Sequence, residues 1–230
     1  MKIAITGNIG SGKSTIANVL KHLGAKHFDA DQSAKSLYLN PAIKTLITSK
    51  IDPKIYTNYE VNWTYLKSEF YKNYELKIQL EQLIHPLVFE SYLNFERENK
   101  NNICLFESAL LFETGRNTAF KTIICVCAPE SLRINRVMQR SGMTHEHMMH
   151  IMDQQMHESE KAKKSTHVLI NNETSPLLET LYTGWKHGIH NVIPCNFTNY
   201  VKNLNSVLRP IMPFCKYANN FSGKCSTKVR

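Results

Sequence analysis

Gly7-Asn8-Ile9-Gly10-Ser11-Gly12-Lys13-Ser14 follows the β-prone run Lys2-Ile3-Ala4-Ile5-Thr6. Ile16, Val19, Leu20 and Leu23 come next at helical spacing, and Gly24 stands where a helix ends in a left-handed residue. The order is strand, glycine loop, helix, and the octet matches G-x-x-x-x-G-K-[ST] in full. The glycines allow torsions that turn successive backbone N–H groups onto a phosphate, and the helix aims its positive end at the same point. Gly7, Gly10, Ser11, Gly12, Lys13, Ser14 and Thr15 are therefore the expected nucleotide-binding residues. Lys13 is expected to neutralise the β- and γ-phosphates, Ser14 to ligand a metal, and Thr15 to bond the α-phosphate. The expected ligands are ATP and Mg2+. A chance glycine turn is the bland alternative, and the strand–helix setting argues against it. The motif by itself does not separate a kinase from a GTPase or a motor ATPase.

Beyond the loop, the chain alternates strands and helices. A short strand is expected near Lys26 to Phe28, ending at Asp29-Ala30-Asp31. From about Gln32 to Arg97 the pattern is mainly helical, with a stripe of Leu76, Leu80, Leu83 and Ile84. His85-Pro86 is expected to interrupt it before a second helix from Leu87 to Arg97. Ile103 to Phe106 and Thr122 to Cys127 are continuous apolar runs, as in strands buried on both faces of a parallel sheet. Further helices are expected over Glu130 to Arg140, over His145 to Lys161 capped by Thr144, and from Thr174 or Ser175 to Gly188. A last strand falls at His167 to Ile170. The fold class is α/β, a three-layer P-loop kinase arrangement with a parallel sheet, a helical acceptor-binding lobe (about 32–100) and a lid (about 136–162). The kinase domain is placed at 1–190 and a basic extension at 191–230.

Composition narrows the classes. Of 230 residues, 42% are hydrophobic and 20% charged, so a core can form without staples. No run of eighteen apolar residues suggests a membrane span, and the N-terminus turns glycine-rich too early for a signal peptide. The expected compartment is the cytoplasm. The net charge of +9 invites nucleic acid as a partner. Residues 191–230, however, carry six basic residues and no acid, and without them 22 basic face 19 acidic residues. The imbalance is mostly a tail, which reads as solvated rather than as an RNA site. There are six cysteines and no C-x-x-C pair, which leaves a zinc knuckle or redox motif unsupported. Cys104, Cys125 and Cys127 read as small buried hydrophobes. His145, His147, His150 and His157 lack an interleaved carboxylate and read as a polar helix face rather than a metal site.

Transfer chemistry needs more than a phosphate loop. Arg133, Arg136 and Arg140 recur at spacings of three and four, so one helix presents them near one face. Guanidinium groups over a triphosphate stabilise a transferring phosphoryl group; the alternative is a solvated helix face. Asp29 and Asp31 fall at the carboxyl edge of the sheet, and one can cap the following helix while the other accepts an acceptor proton. Glu107 follows the third strand and is a candidate acid near the metal. Glu113 lies six residues on, with a structural role as its alternative.

Taken together, these segments resemble the dephospho-CoA kinase family over residues 1–185. The resemblance rests on Ile5 through Thr15, Asp29-Ala30-Asp31, Leu83-Ile84-His85-Pro86-Leu87, Leu110-Leu111-Phe112-Glu113, Arg136 with Arg140, Gln155 with Lys161, and Val168-Leu169-Ile170-Asn171. It implies transfer of the γ-phosphate of ATP to the ribose 3′-hydroxyl of dephospho-CoA. It also implies Asp31 as base, Arg140 on a mobile lid, and Arg136 and Asn171 near the nucleotide. His85 falls in the acceptor-binding lobe that the resemblance implies; Asp29, Leu111 and Glu113 are further candidate substrate-binding positions, and Ser14 with Glu107 the candidate metal ligands. The chain departs from the family at Ala109 (usually proline), Trp63 (commonly arginine), Lys121 (often aspartate) and Glu173 (usually glycine). Competing readings are another P-loop kinase for a nucleotide or small metabolite, and a non-catalytic nucleotide-binding protein with an RNA-binding tail.

Overall fold

The computed structural model describes residues 1–173. In chain order the regular elements are β1 (Lys2–Thr6), α1 (Lys13–His22), β2 (Lys26–Asp29), α2 (Ala30–Tyr38), α3 (Pro41–Lys50), β3 (Tyr56–Thr57), β4 (Glu60–Val61), α4 (Trp63–Lys72), α5 (Tyr74–Glu98), β5 (Cys104–Glu107), β6 (Thr122–Cys127), α6 (Glu130–Ser141), α7 (His145–Asp153), α8 (Glu158–Lys164) and β7 (His167–Ile170). The helix expected to begin at Thr174 or Ser175 and the basic segment 191–230 lie outside the described residues.

Five strands form one parallel sheet in the order β2-β5-β1-β6-β7. Their side chains alternate between two cores, as the two-residue period of a strand requires. Ile3 and Ile5, with Leu105, Ile124 and Val126, pack against Ile16, Ala17 and Leu20 of α1. Ala4, Phe106 and Ile123 face the other way, onto Leu80, Ile84, Val88 and Tyr92 of α5. A sheet apolar on both faces and covered on both is the expected three-layer arrangement. It also puts the carboxyl ends of β1, β2 and β5 at one edge, where the acids and the glycine loop meet.

Three elements differ from expectation. The α5 helix runs unbroken through His85-Pro86. Proline removes one helical hydrogen bond, to the carbonyl of Gln82, but Gln82 is exposed and water can serve it. The buried row Leu80, Ile84, Val88 and Tyr92, at a spacing of four, holds the helix across that gap. Conversely, the single helix expected over His145 to Lys161 is two, α7 and α8, separated at Gln154 to His157. The residues of the break are turned onto the glycine loop, as described below. Finally, β3 and β4 form a small hairpin whose turn residues Asn58 and Tyr59 both have positive φ. A type I′ turn needs that geometry, and Asn-Tyr is a rarer way to supply it than Asn-Gly.

Tyr92 is the hub of the α5-side core. It is fully buried, and its ring meets Phe106 at 4.9 Å, Phe28 at 5.5 Å and Phe120 at 5.5 Å between centroids. Its hydroxyl is buried without a hydrogen-bond partner, and burial pushes its pKa well up. An unmet buried hydroxyl costs about 1–3 kcal/mol, while the ring supplies most of the packing. Tyr92→Phe is therefore expected to hold or raise the thermal midpoint. Tyr92→Ala is expected to lose about 3–5 kcal/mol in denaturant unfolding, by cavity formation. A Phe variant much less stable than the wild type would refute this account of the hydroxyl.

Candidate active site

The glycine loop leaves β1 and enters α1 with three left-handed residues, Gly7, Gly10 and Gly12. A side chain at Gly10 would meet the Arg133 backbone at 2.5 Å, and one at Gly12 would meet the Asn171 amide at 2.2 Å. Glycine is thus imposed by close approach as well as by torsion. Gly12 is the N-cap of α1 and offers no side-chain acceptor, and the first turn holds no acid. The first-turn amides therefore carry no cap, which suits an anion. Thr15, in that turn, is exposed.

Lys13 is only 9% exposed. Its ammonium donates to the Asn8 carbonyl at 3.3 Å. Burial lowers its pKa, and the nearby Asp31 and Glu107 carboxylates offset part of that. Asp31 opens to solvent along the cleft. Even so, the protein walls around it desolvate its carboxyl and raise its pKa, with Asp29 and Glu107 adding and Lys13 opposing. The lysine of the glycine loop and the second acid of Asp29-Ala30-Asp31 thus lie within electrostatic reach of each other.

Asp29 is the capping member of the pair: its Oδ1 accepts from the Gln32 amide at 2.9 Å. The structure thereby separates two carboxylates that the sequence left interchangeable. Glu107 ends β5 and is 5% exposed. The Ser14 hydroxyl donates to its Oε1 at 2.6 Å, and His27 Nε2 meets its Oε2 at 2.9 Å. Burial would raise the Glu107 pKa. The bonds from His27 and Ser14, with the charge of Lys13, outweigh burial and hold it below the usual glutamate range.

His27 was not legible as a functional position. Parallel pairing of β2 with β5 sets His27 beside Leu105 and Asp29 beside Glu107, so His27 is a diagonal neighbour of Glu107. Only the strand register contains that information.

Other expected positions turn out differently. Leu111 is fully buried in the α5-side core and cannot touch a substrate there; it is a packing residue. Glu113 is committed to protein partners. Its Oε1 accepts from the Met156 amide at 2.8 Å and pairs with the Lys161 ammonium at 2.8 Å. Lys161 is wholly buried and also donates to the Ala109 carbonyl at 2.6 Å. The pair is buried on the lysine side only, so removing Glu113 would leave the Lys161 ammonium buried and short of its counter-charge. His85 borders a pocket next to Asp31, and burial lowers its pKa.

The arginines do not form one cluster. Arg133 is buried and structural, bonding the Ala128 carbonyl at 3.2 Å and pairing with Glu158 at 3.7 Å. Arg136 reaches Asn171 and Glu173, with 3.1 Å to the Glu173 carboxylate. Glu173 holds φ of 66° where a side chain is disfavoured, and this ion pair accompanies that strain. Arg140 is exposed and has no partner among the described residues. Asn171 donates to the Ser11 carbonyl at 2.9 Å, tying the exit of β7 to the glycine loop. On the other side of the loop, the Ile9 amide donates to Gln155 at 2.9 Å, and Asn8 donates to the Met156 carbonyl at 3.3 Å.

His147 and His150 are more than a polar helix face. Both stack edge-on with Tyr71 at 4.6 Å between ring centroids, and the Tyr71 hydroxyl hydrogen-bonds His147.

A parallel five-stranded sheet with this loop, a buried lysine and flanking acids defines a P-loop kinase fold. Comparison with known proteins narrows the class. A profile of the dephospho-CoA kinase family matches residues 1–176. The chain is 35% identical over 173 residues to a dephospho-CoA kinase of Porphyromonas gingivalis, covering 74% of this chain and 85% of that protein. It is 30% identical over 183 residues to one of Bacteroides fragilis, covering 77% and 88%. A solved structure of a Thermus thermophilus protein is similar, with a TM-score of 0.70 and 31% identity over 81% of this chain and 95% of its own. The dephospho-CoA kinase of Campylobacter jejuni follows at 0.60 and 25%, over 82% and 98%. The chain belongs to the dephospho-CoA kinase family.

The pKa of Glu107 carries a stability prediction. Because it is lowered on folding, Glu107 contributes stability above the ordinary glutamate range, and this is lost as pH falls through the lowered value. His27→Ala removes one supporting bond and leaves burial less opposed, so the variant should be less stable near neutral pH and lose less further stability than the wild type as pH falls. His27→Gln keeps a hydrogen-bond donor and should recover part of the difference. Thermal midpoints between about pH 3 and 7 test this; superimposable profiles for wild type and His27→Ala would overturn it.

Proposed function

We propose that this chain transfers the γ-phosphoryl group of ATP to the ribose 3′-hydroxyl of dephospho-CoA, giving coenzyme A, in the cytoplasm. The observation that carries the reading is Lys13 buried at the glycine loop within electrostatic reach of Asp31, beside a pocket. Family membership supports ATP as donor and dephospho-CoA as acceptor.

In this reading the first-turn amides of α1 and the Lys13 ammonium take the triphosphate. Its negative charge replaces the solvation that burial denies Lys13. Asp31 accepts the proton of the acceptor hydroxyl, and the raised pKa makes it a better base than an ordinary aspartate. Arg140, exposed on the last turn of α6, is the residue assigned to the transferring phosphoryl group. Arg136 and Asn171 support the nucleotide from the β7 side, partly by shaping the loop. His85 lines the acceptor side, and Asp29 acts there as the cap that fixes Asp31.

The Ser14 hydroxyl and the Glu107 carboxylate are hard oxygen donors already in contact, so they fit Mg2+. Among the described residues no group of three or more His, Cys, Asp or Glu could hold a metal ion. Phosphate and water oxygens would complete the shell, the usual habit of Mg2+. When bound, the ion would supply charge neutralisation on the phosphates.

Steady-state kinetics with ATP, magnesium and dephospho-CoA test the reading. Asp31→Asn should lower kcat by about 100-fold or more, with ATP binding changed only a few-fold. Because Asp31 acts deprotonated and its pKa is raised, wild-type kcat/KM should fall as pH drops through a value above that of an ordinary aspartate. That acid limb should vanish in Asp31→Asn. Lys13→Ala should cost transition-state stabilisation of about 3–4 kcal/mol. Unchanged turnover in either variant overturns the assignment of that residue.

A further inference from the structure

The pocket beside Asp31 has apolar walls from Ala34, Val88, Phe89 and Leu110, the hydroxyl residues Ser108 and Thr114, and three ionisable residues: Asp31, His85 and Arg116. Three of its residues come from one face of α5, since Val88 and Phe89 lie three and four after His85. Arg116 comes from the other side, from the short turn after Gly115. Its guanidinium lies 4.6 Å from the centre of the Phe89 ring. Its Nε is buried and has no hydrogen-bond partner, and no carboxylate pairs with it among the described residues.

That combination is costly for a structural residue. A buried N–H with no acceptor forfeits its solvation, and an arginine facing a cavity ordinarily finds a carboxylate. The ring of Phe89 lies against the guanidinium, and no hydrogen bond occupies its N–H groups among the described residues. Burial lowers the pKa of His85, with Glu81 opposing and the positive charge of Arg116 adding. Arg116 is thus the standing cation of a pocket whose other wall holds the acid assigned as base. A planar, held guanidinium with open donors matches a phosphate group.

We infer that Arg116 binds a phosphate group of the acceptor's diphosphate while Phe89 and the neighbouring apolar wall hold the base or ribose. This deepens the proposed function and rests on it. Arg116 would then set acceptor affinity and acceptor choice, and would have no part in holding ATP. Arg116 lies just beyond the Leu110-Leu111-Phe112-Glu113 segment and belongs to no motif itself; what identifies it is the cavity and the unmet donor.

The test compares acceptors with and without phosphate. Wild type, Arg116→Lys, Arg116→Gln and Arg116→Ala are assayed for KM and kcat with dephospho-CoA. Adenosine 5′-phosphate and adenosine are then used as competitive inhibitors against dephospho-CoA at saturating ATP. Arg116→Ala is expected to raise the KM for dephospho-CoA by roughly 10- to 100-fold, the range for lost charge-assisted hydrogen bonds. The KM for ATP should change less than about 2-fold, since ATP makes no contact with Arg116 in this account. Inhibition by adenosine 5′-phosphate should weaken with the KM, while inhibition by adenosine should be nearly unmoved. Arg116→Lys should recover part of the affinity, as a point charge without the fork.

Equal losses for adenosine and its 5′-phosphate would overturn the inference, since the role would then be packing on Phe89. An unchanged KM for dephospho-CoA would also overturn it. If Arg116→Ala fails to fold, Arg116→Gln and Arg116→Lys carry the same comparison. Should the wild type fail to phosphorylate dephospho-CoA, the proposed function falls instead. Calorimetric binding of dephospho-CoA to wild type and Arg116→Gln then reads the phosphate contact separately, and equal affinities would overturn it.

Discussion

A lysine ammonium taken out of water, with a backbone carbonyl and two nearby carboxylates for company, is the constraint on which the rest of this molecule turns. Lys13 is lowered in pKa by its burial, and neither Asp31 nor Glu107 makes a direct ion pair with it. The fold supplies the geometry that keeps it there. Parallel strands bring the ends of β1, β2 and β5 to one edge, and the close approaches of Gly10 to α6 and Gly12 to Asn171 fix the loop between them. An anion brought to this point meets unsatisfied amides, a helix terminus and an under-solvated cation at once. Three separate deficits could be met by one anionic ligand, which suits this point to a phosphate.

The architecture was largely legible from the chain because its signals are local. The G-x-x-x-x-G-K-[ST] octet, the apolar runs of β5 and β6, and the left-handed stop at Gly24 each report on a few neighbouring residues. Failures came where a distant contact overrides a local preference. Proline at 86 reads as a break, yet the buried row on α5 outweighs one lost hydrogen bond at an exposed carbonyl. Residues 145–161 read as a single helix, yet Gln155 and Met156 find better partners on the glycine loop than in a helical turn.

The same division holds in the site. Lys13, Ser14, Asp31 and Glu107 are placed by short motifs and strand ends, and the structure brings them together. Which of Asp29 and Asp31 caps the helix is a matter of atoms, and only the Asp29–Gln32 bond decides it. Leu111 and Glu113 belong to a motif whose spacing says nothing about direction; one faces the core and the other the buried Lys161. His27 and Arg116 depend on strand register and cavity shape. Neither quantity can be read from composition or periodicity.

The fastening of the 154–157 break to the glycine loop limits what any closing motion could look like. Arg133 anchors the start of α6 beneath that loop, and Gln155, Met156 and Lys161 anchor the far end of the segment to Ile9, Asn8 and Glu113. Between these fixed ends runs a span from about residue 140 to 153, which buries Met148 and rests on Tyr71 through two imidazoles. A segment pinned at both ends can bow like a bridge but cannot swing like a door. Arg140, at the near end of that span, is thus held on a stretch of chain braced from both sides.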